Sequence, residues 1–285
     1  MNKIEQRIKE EIRERVQRRL NKVPEDVIEF LEEHMPGGIM YVAGGYLNPD
    51  NPNDMDIYPV NENLPTFTTM SIKRDGFSFA YNAGDEKNTL SFSYGGKIYQ
   101  ICKYIKPSLK DLVDSFDFAH IQAGCLVEIG TPLVVKDVYV SEDYIVARTT
   151  GKSFYTGTEY PLSSLIRTFK YAKREELGNR KNVSNIVLEI LSDIIERGYS
   201  SYDDFKDQLA SIDLLLKKDI DESVLKKFVS AMLYRGIVDK ADKRFVAVAG
   251  DDAESAEGED DDGNDSSREK SDTGSEAAED LQFPF

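Results

Sequence analysis

The sequence predicts an α+β chain: two helices, a long stretch of short strands, a return to helix, and a tail with no core to build. Three observations predict it. Ile4, Ile8, Ile12, Val16 and Leu20 recur every four residues between charged neighbours, which is helical spacing. From Ile39 to Val140 the apolar residues fall into short runs punctuated by glycine, asparagine and proline, which is strand spacing. Beyond Gly250 the composition changes to Asp, Glu, Ser and Gly without periodicity, which reads as disorder.

Taken in order, the first helix spans about residues 2–21, with its apolar stripe directed at the body. Pro24 suits a helix start, and Val27, Ile28 and Leu31 form the face of a second helix that ends before Pro36-Gly37-Gly38. Ile39 to Ala43 reads as a short buried strand. Asp54-Met55-Asp56-Ile57-Tyr58 reads as another. Between 66 and 102, the runs Phe67/Met70/Ile72, Phe77–Tyr81, Thr89–Tyr94 and Lys97–Cys102 are expected as strands joined by hairpins at Gly76, Asn82-Ala83-Gly84 and Gly95-Gly96. Leu109 to Val113 is a short helix after Pro107. Ser115 to Gln122, Val134 to Val140 and Tyr144 to Arg148 are expected as strands. Pro161 to Lys173 is a helix with Leu162, Leu165, Ile166 and Phe169 on its apolar face and Arg167, Lys170, Lys173 and Arg174 on the other. Glu176 to Asn182 reads as a linker. Residues 183–237 then read as a small all-helical unit, marked by Ile186/Ile190/Ile194, Phe205/Leu209 and Leu225/Phe228/Val229/Met232/Leu233. The expected division is a body with its N-terminal helices over 1–178, a helical domain over 179–248, and an acidic tail with an aromatic tip over 249–285.

Composition narrows the function. The 285 residues carry a net charge of −16, but residues 251–285 hold 14 acids against 2 bases, so the body is only about −4. Such a body does not coat nucleic acid by charge alone. No run approaches the roughly 18 to 20 apolar residues of a membrane span. The N-terminus lacks the apolar stretch of a secretion signal. The two cysteines, Cys102 and Cys125, sit in apolar strand-like segments, so a reducing, cytoplasmic setting is expected. His34 and His120 stand apart, which makes a zinc site improbable.

The candidate chemistry lies in residues 42–58. Gly44 and Gly45 follow a strand, where glycine lets the backbone turn sharply or approach a phosphate. Asp54 and Asp56 alternate along the next strand and so share one face. Paired carboxylates beside a glycine turn suit a hard divalent cation carrying a phosphate. An Asp-x-Asp by itself is more often a solvated loop than a metal site. Asp117 adds a third acid among apolar neighbours, where a carboxylate is costly unless solvated, paired or bound to metal. A structural ion pair accounts for Asp117 as well as a metal does. The basic helix face around Arg167 is also what a solvated face looks like.

The ordered set Val42–Gly45, Asn53–Tyr58, Ser115–His120 and Leu165–Tyr171 resembles the DNA-polymerase-β-type nucleotidyltransferase superfamily, and in particular small nucleotidyltransferase-like proteins encoded by bacteriophages. The resemblance covers about residues 25–175. It implies a mixed sheet flanked by helices, with Asp54, Asp56 and Asp117 at one end holding Mg²⁺ or Mn²⁺. It further implies an NTP whose phosphates meet Gly44 and Gly45 and are neutralised by Arg167 and Lys170, and a nucleic-acid acceptor among other possible acceptors. One departure is plain: family members usually carry a helix between the glycine pair and the Asp-x-Asp, and residues 46–53 are too few and too rich in proline for one. The C-terminal Phe283-Pro284-Phe285, after an acidic stretch, is similar to the tips of bacterial and phage single-stranded DNA-binding proteins, which implies docking on a replication or repair protein. A non-catalytic single-stranded nucleic-acid-binding or replication accessory protein on the same scaffold is the second reading, supported by the tail, the many tyrosines and phenylalanines, and the shortened turn.

Overall fold

The periodic stripe of the first helix is what anchors it. In the computed structural model, which describes residues 3–35, 37–49, 54–60, 76–79, 89–102, 105–199 and 227, helix α1 spans Lys3–Leu20 and buries Ile8, Ile12, Val16 and Leu20, leaving Ile4 at the exposed end. The stripe packs on the body, as its spacing implies. Helix α2, Glu25–His34, follows Pro24 and buries Val27, Ile28, Phe30 and Leu31.

The described strands are β1 Ile39–Ala43, β2 Asp54–Pro59, β3 Phe77–Phe79, β4 Thr89–Tyr94, β5 Lys97–Cys102, β6 Ala123–Glu128 and β7 Val134–Val140. They form one sheet in the order β3-β4-β5-β2-β1-β6-β7. Only β2 and β5 run parallel among the described pairs, so the sheet is mixed. The fold is therefore α+β with a helix-flanked mixed sheet.

Alternation sorts side chains between the faces. On one face Met40, Val42, Met55, Ile57, Phe92, Tyr99, Ile101 and Val127 join the stripes of α1 and α2 in the main core. On the other, Tyr41, Ala43 and Val60 pack with Leu109, Leu112 and Val113 of α3, Leu109–Asp114, with Tyr58 beside them. Gly124 of β6 lets α3 lie hard on the sheet: a Cβ there would come within 2.8 Å of Leu109 Cδ1 and Val113 Cγ2. Edge strand β7 does not present a bare backbone. Gln17 of α1 accepts from Val135 N (2.9 Å) and donates to Leu133 O (2.8 Å), while Arg13 donates to Val135 O (3.0 Å), which blunts the edge against pairing with another chain.

Two expected strands are absent. Ser115–Gln122 is a bend, a bridge residue at Phe118 opposite Tyr155, and a 3-10 turn over Ala119–Ile121. Tyr144–Arg148 lies inside helix α4, Glu142–Thr150. Its apolar run resembles a strand, but the helix signals around it prevail. Ser141 accepts from Tyr144 N, Glu142 and Asp143 occupy the first turn, and Gly151 closes the last at φ +67°.

Helix α5, Pro161–Lys173, forms as expected but is rotated. It buries Leu162, Ser163, Ser164, Thr168 and Tyr171, while Phe169 is 63% exposed. The buried stripe is half polar because α5 must satisfy a carboxylate beneath it. Helix α6, Arg180–Arg197, buries Ile186, Ile190 and Ile194 and packs along α5. The strand expected at Phe67/Met70/Ile72, the helices expected at Phe205/Leu209 and over 225–233, and the acidic tail lie outside the described residues.

Candidate functional site

Strand β1 ends at Ala43 in a 3-10 turn over Gly44–Leu47, one turn in place of the longer helix that the resemblance implies. Gly44 has φ +75°, a conformation that favours glycine, and a Cβ there would lie 3.6 Å from Asp56 Oδ2. The turn is therefore held beside the Asp-x-Asp. Two arginines of α1, unremarked in the sequence, clamp its far end: Arg15 Nε donates to Leu47 O at 3.0 Å, and Arg19 donates to Tyr46 O and to Pro49 O. A carbonyl-rich turn end suits cations.

Asp54 and Asp56 lie half-buried on β2, on the same face as Tyr58, with Met55 and Ile57 buried on the opposite side. The Tyr58 phenol is pushed well above its ordinary value by burial, then by Cys102 and Asp56. The Cys102 thiol is likewise pushed up, by burial first and by Asp56 next. The acid face of β2 is thus flanked by groups that stay neutral at ordinary pH.

Asp117 reaches the same neighbourhood from a different element. A polar network positions its bend: Gln122 Nε2 donates to Phe116 O (2.8 Å) and Thr156 Oγ1 (3.1 Å), Thr156 Oγ1 donates to Phe116 O (2.7 Å), and Thr156 N donates to Asp117 O (3.1 Å). Ser141 Oγ donates to Gln122 Oε1 (2.7 Å), tying the network to the cap of α4. The Asp117 carboxylate is 2% exposed. Arg167 Nη2 approaches its Oδ2 at 2.9 Å, and Ser164 Oγ donates to the same oxygen at 2.5 Å. Burial works against the Arg167 charge, yet Asp117, Tyr171 and Tyr58 outweigh it and its pKa rises. Tyr171 is buried under the pair, its hydroxyl pushed up by burial, with Asp117 and Asp56 both contributing. The Phe116 ring, next to Asp117 in the chain, lies 6.2 Å from the ring of Tyr58, which shares the acid face of β2.

The structure therefore brings Gly44 to Asp56, and Arg167 to Asp117. Lys170 lies one turn beyond Arg167 on α5, half-buried. Gly45 is exposed on the 3-10 turn. Asp54 and Asp56, with Gly44 beside them, fit a hard divalent cation. Asp117 as it stands is engaged by Arg167 and Ser164. Among the described residues no three His, Cys, Asp or Glu side chains are grouped so as to hold a metal ion. Ser164 and Tyr171 escape sequence reasoning because a helix presents them as ordinary core positions. Their only signal is the i, i+3, i+7 spacing of Ser164, Arg167 and Tyr171. Among the described residues no helix is long and apolar enough to cross a membrane.

No family model matches the chain, and no curated protein matches it. Solved structures similar to it include two apo forms of a tRNA-processing enzyme. The first has a TM-score of 0.40 and 13% identity, over 78% of this chain and 59% of that one. The second has 0.38 and 13%, over 80% and 56%. A Thermotoga maritima CCA-adding enzyme complexed with tRNA has 0.37 and 12%, over 84% and 67%. The chain spans less than two thirds of the length of the first two.

Proposed function

We propose that this protein is a metal-dependent nucleotidyltransferase that moves a nucleoside monophosphate from an NTP to a nucleic-acid acceptor. The observation that carries the reading is the pairing of Asp54 and Asp56 on one face of β2 with a positive-φ glycine whose missing Cβ leaves room at Asp56. Asp54 and Asp56 would hold Mg²⁺ or Mn²⁺, which when bound supplies charge neutralisation at the triphosphate. Gly44 and Gly45 let the backbone approach the phosphates. Arg167 and Lys170 offset phosphate charge from α5. In the transfer, the acceptor hydroxyl oxygen bonds to the α-phosphorus as the bond to the β-phosphate oxygen breaks. Pyrophosphate leaves, and the hydroxyl proton passes to solvent or to Asp117. For Asp117 to act there, Arg167 must release it, and an incoming triphosphate offers Arg167 an alternative anion.

The setting we propose is phage nucleic-acid metabolism in the host cytoplasm. The tip Phe283-Pro284-Phe285, outside the described residues, would dock on a replication or repair protein through two aromatics, the proline limiting the entropy lost on docking.

The test is pyrophosphate release from each NTP with Mg²⁺ or Mn²⁺, across RNA, DNA, protein and small-molecule acceptors, with Asp54→Ala as the control. Release that the variant lacks is expected. Equal release by both proteins, or none under any condition, overturns the reading. The second reading, a non-catalytic nucleic-acid-binding protein, is favoured by one observation: Asp117 already has its charge balanced by Arg167. It requires nucleic-acid binding with no nucleotide binding in the presence of metal.

A further inference from the structure

The charge of the folded body is unevenly placed. Residues 148–182 hold eight lysines and arginines against three acids, a surplus of five, within a body of net −4. The fold gathers that surplus. The turn between α5 and α6 passes through Glu175 at φ +60° and brings the end of α5 close to the start of α6. Asn182 Nδ2 donates to Ser153 O and to Leu177 O, tying the first turn of α6 to the segment that follows α4. Gly178 packs on the same segment, where a Cβ would meet Gly151 O at 3.3 Å and Lys152 Cγ at 3.5 Å. Three helix ends therefore converge, and Arg148, Lys152, Lys173, Arg174, Arg180 and Lys181 are exposed around them.

Within 148–182 the acids are Glu159, Glu175 and Glu176. Glu175 is exposed, and Glu176 is turned inward, its Oε2 3.5 Å from His120 Nε2. The first turn of α6 carries no acid, and its two cations sit against the helix dipole. The track is also continuous with the candidate site, because α5 runs from Arg167 at Asp117 through Lys170 to Lys173 and Arg174.

We infer that this track is a docking surface for the phosphodiester backbone of a nucleic acid, and that it leads an acceptor end to the acids of β2 and the Asp117 bend. The role of acceptor rests on the transfer reaction proposed above; the binding itself does not. A row of exposed cations starting at a catalytic site fits a polymer with evenly spaced negative charge and a terminal hydroxyl.

The experiment uses the full chain and a fluorescently labelled single-stranded RNA and DNA of about 20 nucleotides, with anisotropy read across a salt series. The variant carries Lys152→Glu, Lys173→Glu, Arg174→Glu and Lys181→Glu. The control carries the same change in net charge on α1 and the turn after it, as Lys3→Glu, Arg7→Glu, Arg18→Glu and Lys22→Glu. The track variant should bind at least about tenfold more weakly, with the slope of log affinity against log salt reduced by about 2 to 3, since each lost phosphate contact removes about 0.7 for single strands. The control should bind within about twofold of the parent. Binding is read without nucleotide or divalent metal, so failure of the catalytic reading leaves this result standing. Equal affinity of the track variant and the parent, or equal weakening by the control, overturns the proposal. So does cross-linking of Lys152 or Lys181 to residues 251–285 that excess oligonucleotide does not displace, which would assign the track to the acidic tail of this chain.

Discussion

Asp56 and Asp117 carry the same carboxylate to the same side of one sheet, and the fold treats them in opposite ways. Asp56 is half-buried on a strand whose alternation puts it there, beside a glycine that leaves space in front of it. Asp117 is 2% exposed on an irregular bend and needs a guanidinium, a hydroxyl and a backbone network to keep it. The difference teaches where charge can be kept ready for a ligand. A carboxylate only half-buried on a strand keeps part of its hydration. One sealed in protein must be neutralised in place, and its availability then depends on its partner.

The largest expected effect tests that dependence. Arg167→Ala strands the Asp117 charge and should cost about 3 kcal/mol, at the low end for a broken buried pair because the Arg167 side chain is 31% exposed. The melting temperature should fall by roughly 10 °C. Adding Asp117→Asn should restore most of it. The ion pair with Asp117 gives Arg167 a structural part beside its proposed part in nucleotide binding. A melting temperature unchanged by Arg167→Ala would mean that Asp117 is as well solvated as Asp56.

Gly44→Ala should come next. The positive φ costs an L side chain about 1 to 2 kcal/mol, and the added Cβ narrows the space 3.6 Å from Asp56 Oδ2. Metal-dependent nucleotide affinity, followed by calorimetry, should fall by more than stability does. A loss of stability with full affinity would remove the turn from the site.

Asp54→Ala should leave stability within about 0.5 kcal/mol, as for other half-exposed positions without a special partner, while abolishing metal-dependent nucleotide binding. A drop comparable to that of Arg167→Ala would show that β2 holds its acids for structure.

The smallest effect is local. Burial, then Asp56, raises the Cys102 thiol, so its folded pKa lies above the unfolded value. Its stabilising contribution is complete below the unfolded pKa and is lost as pH rises through the folded one. Burial pushes Cys125 up to about 12 with no contribution from Asp56. Asp56→Asn should therefore speed Cys102 alkylation a few-fold at pH 9 and leave Cys125 unchanged, as read by mass spectrometry. Equal rates for Cys102 in both proteins would detach Asp56 from that face.

Sequence alone determined the elements whose cause is local. The stripe Ile8, Ile12, Val16 and Leu20 made α1, a continuous apolar run made β1, alternation made β2 and put Asp54 and Asp56 on one face, and the prolines and short span after Gly45 limited that turn to four residues. These follow from periodicity and backbone sterics within a few residues. Tertiary structure decided the rest. Ser115–Gln122 has strand-like residues, but it becomes a bend because Thr156 and the segment's own Gln122 side chain bond Phe116 O, and Ser141 from elsewhere in the chain holds that side chain in place. Phe169 has the hydrophobicity of a core residue, yet it faces out because Ser164, Arg167 and Tyr171 must turn inward to meet Asp117. Burying a charge imposes a demand for partners that outweighs the gain from burying one more ring, and that demand arises only when distant segments meet.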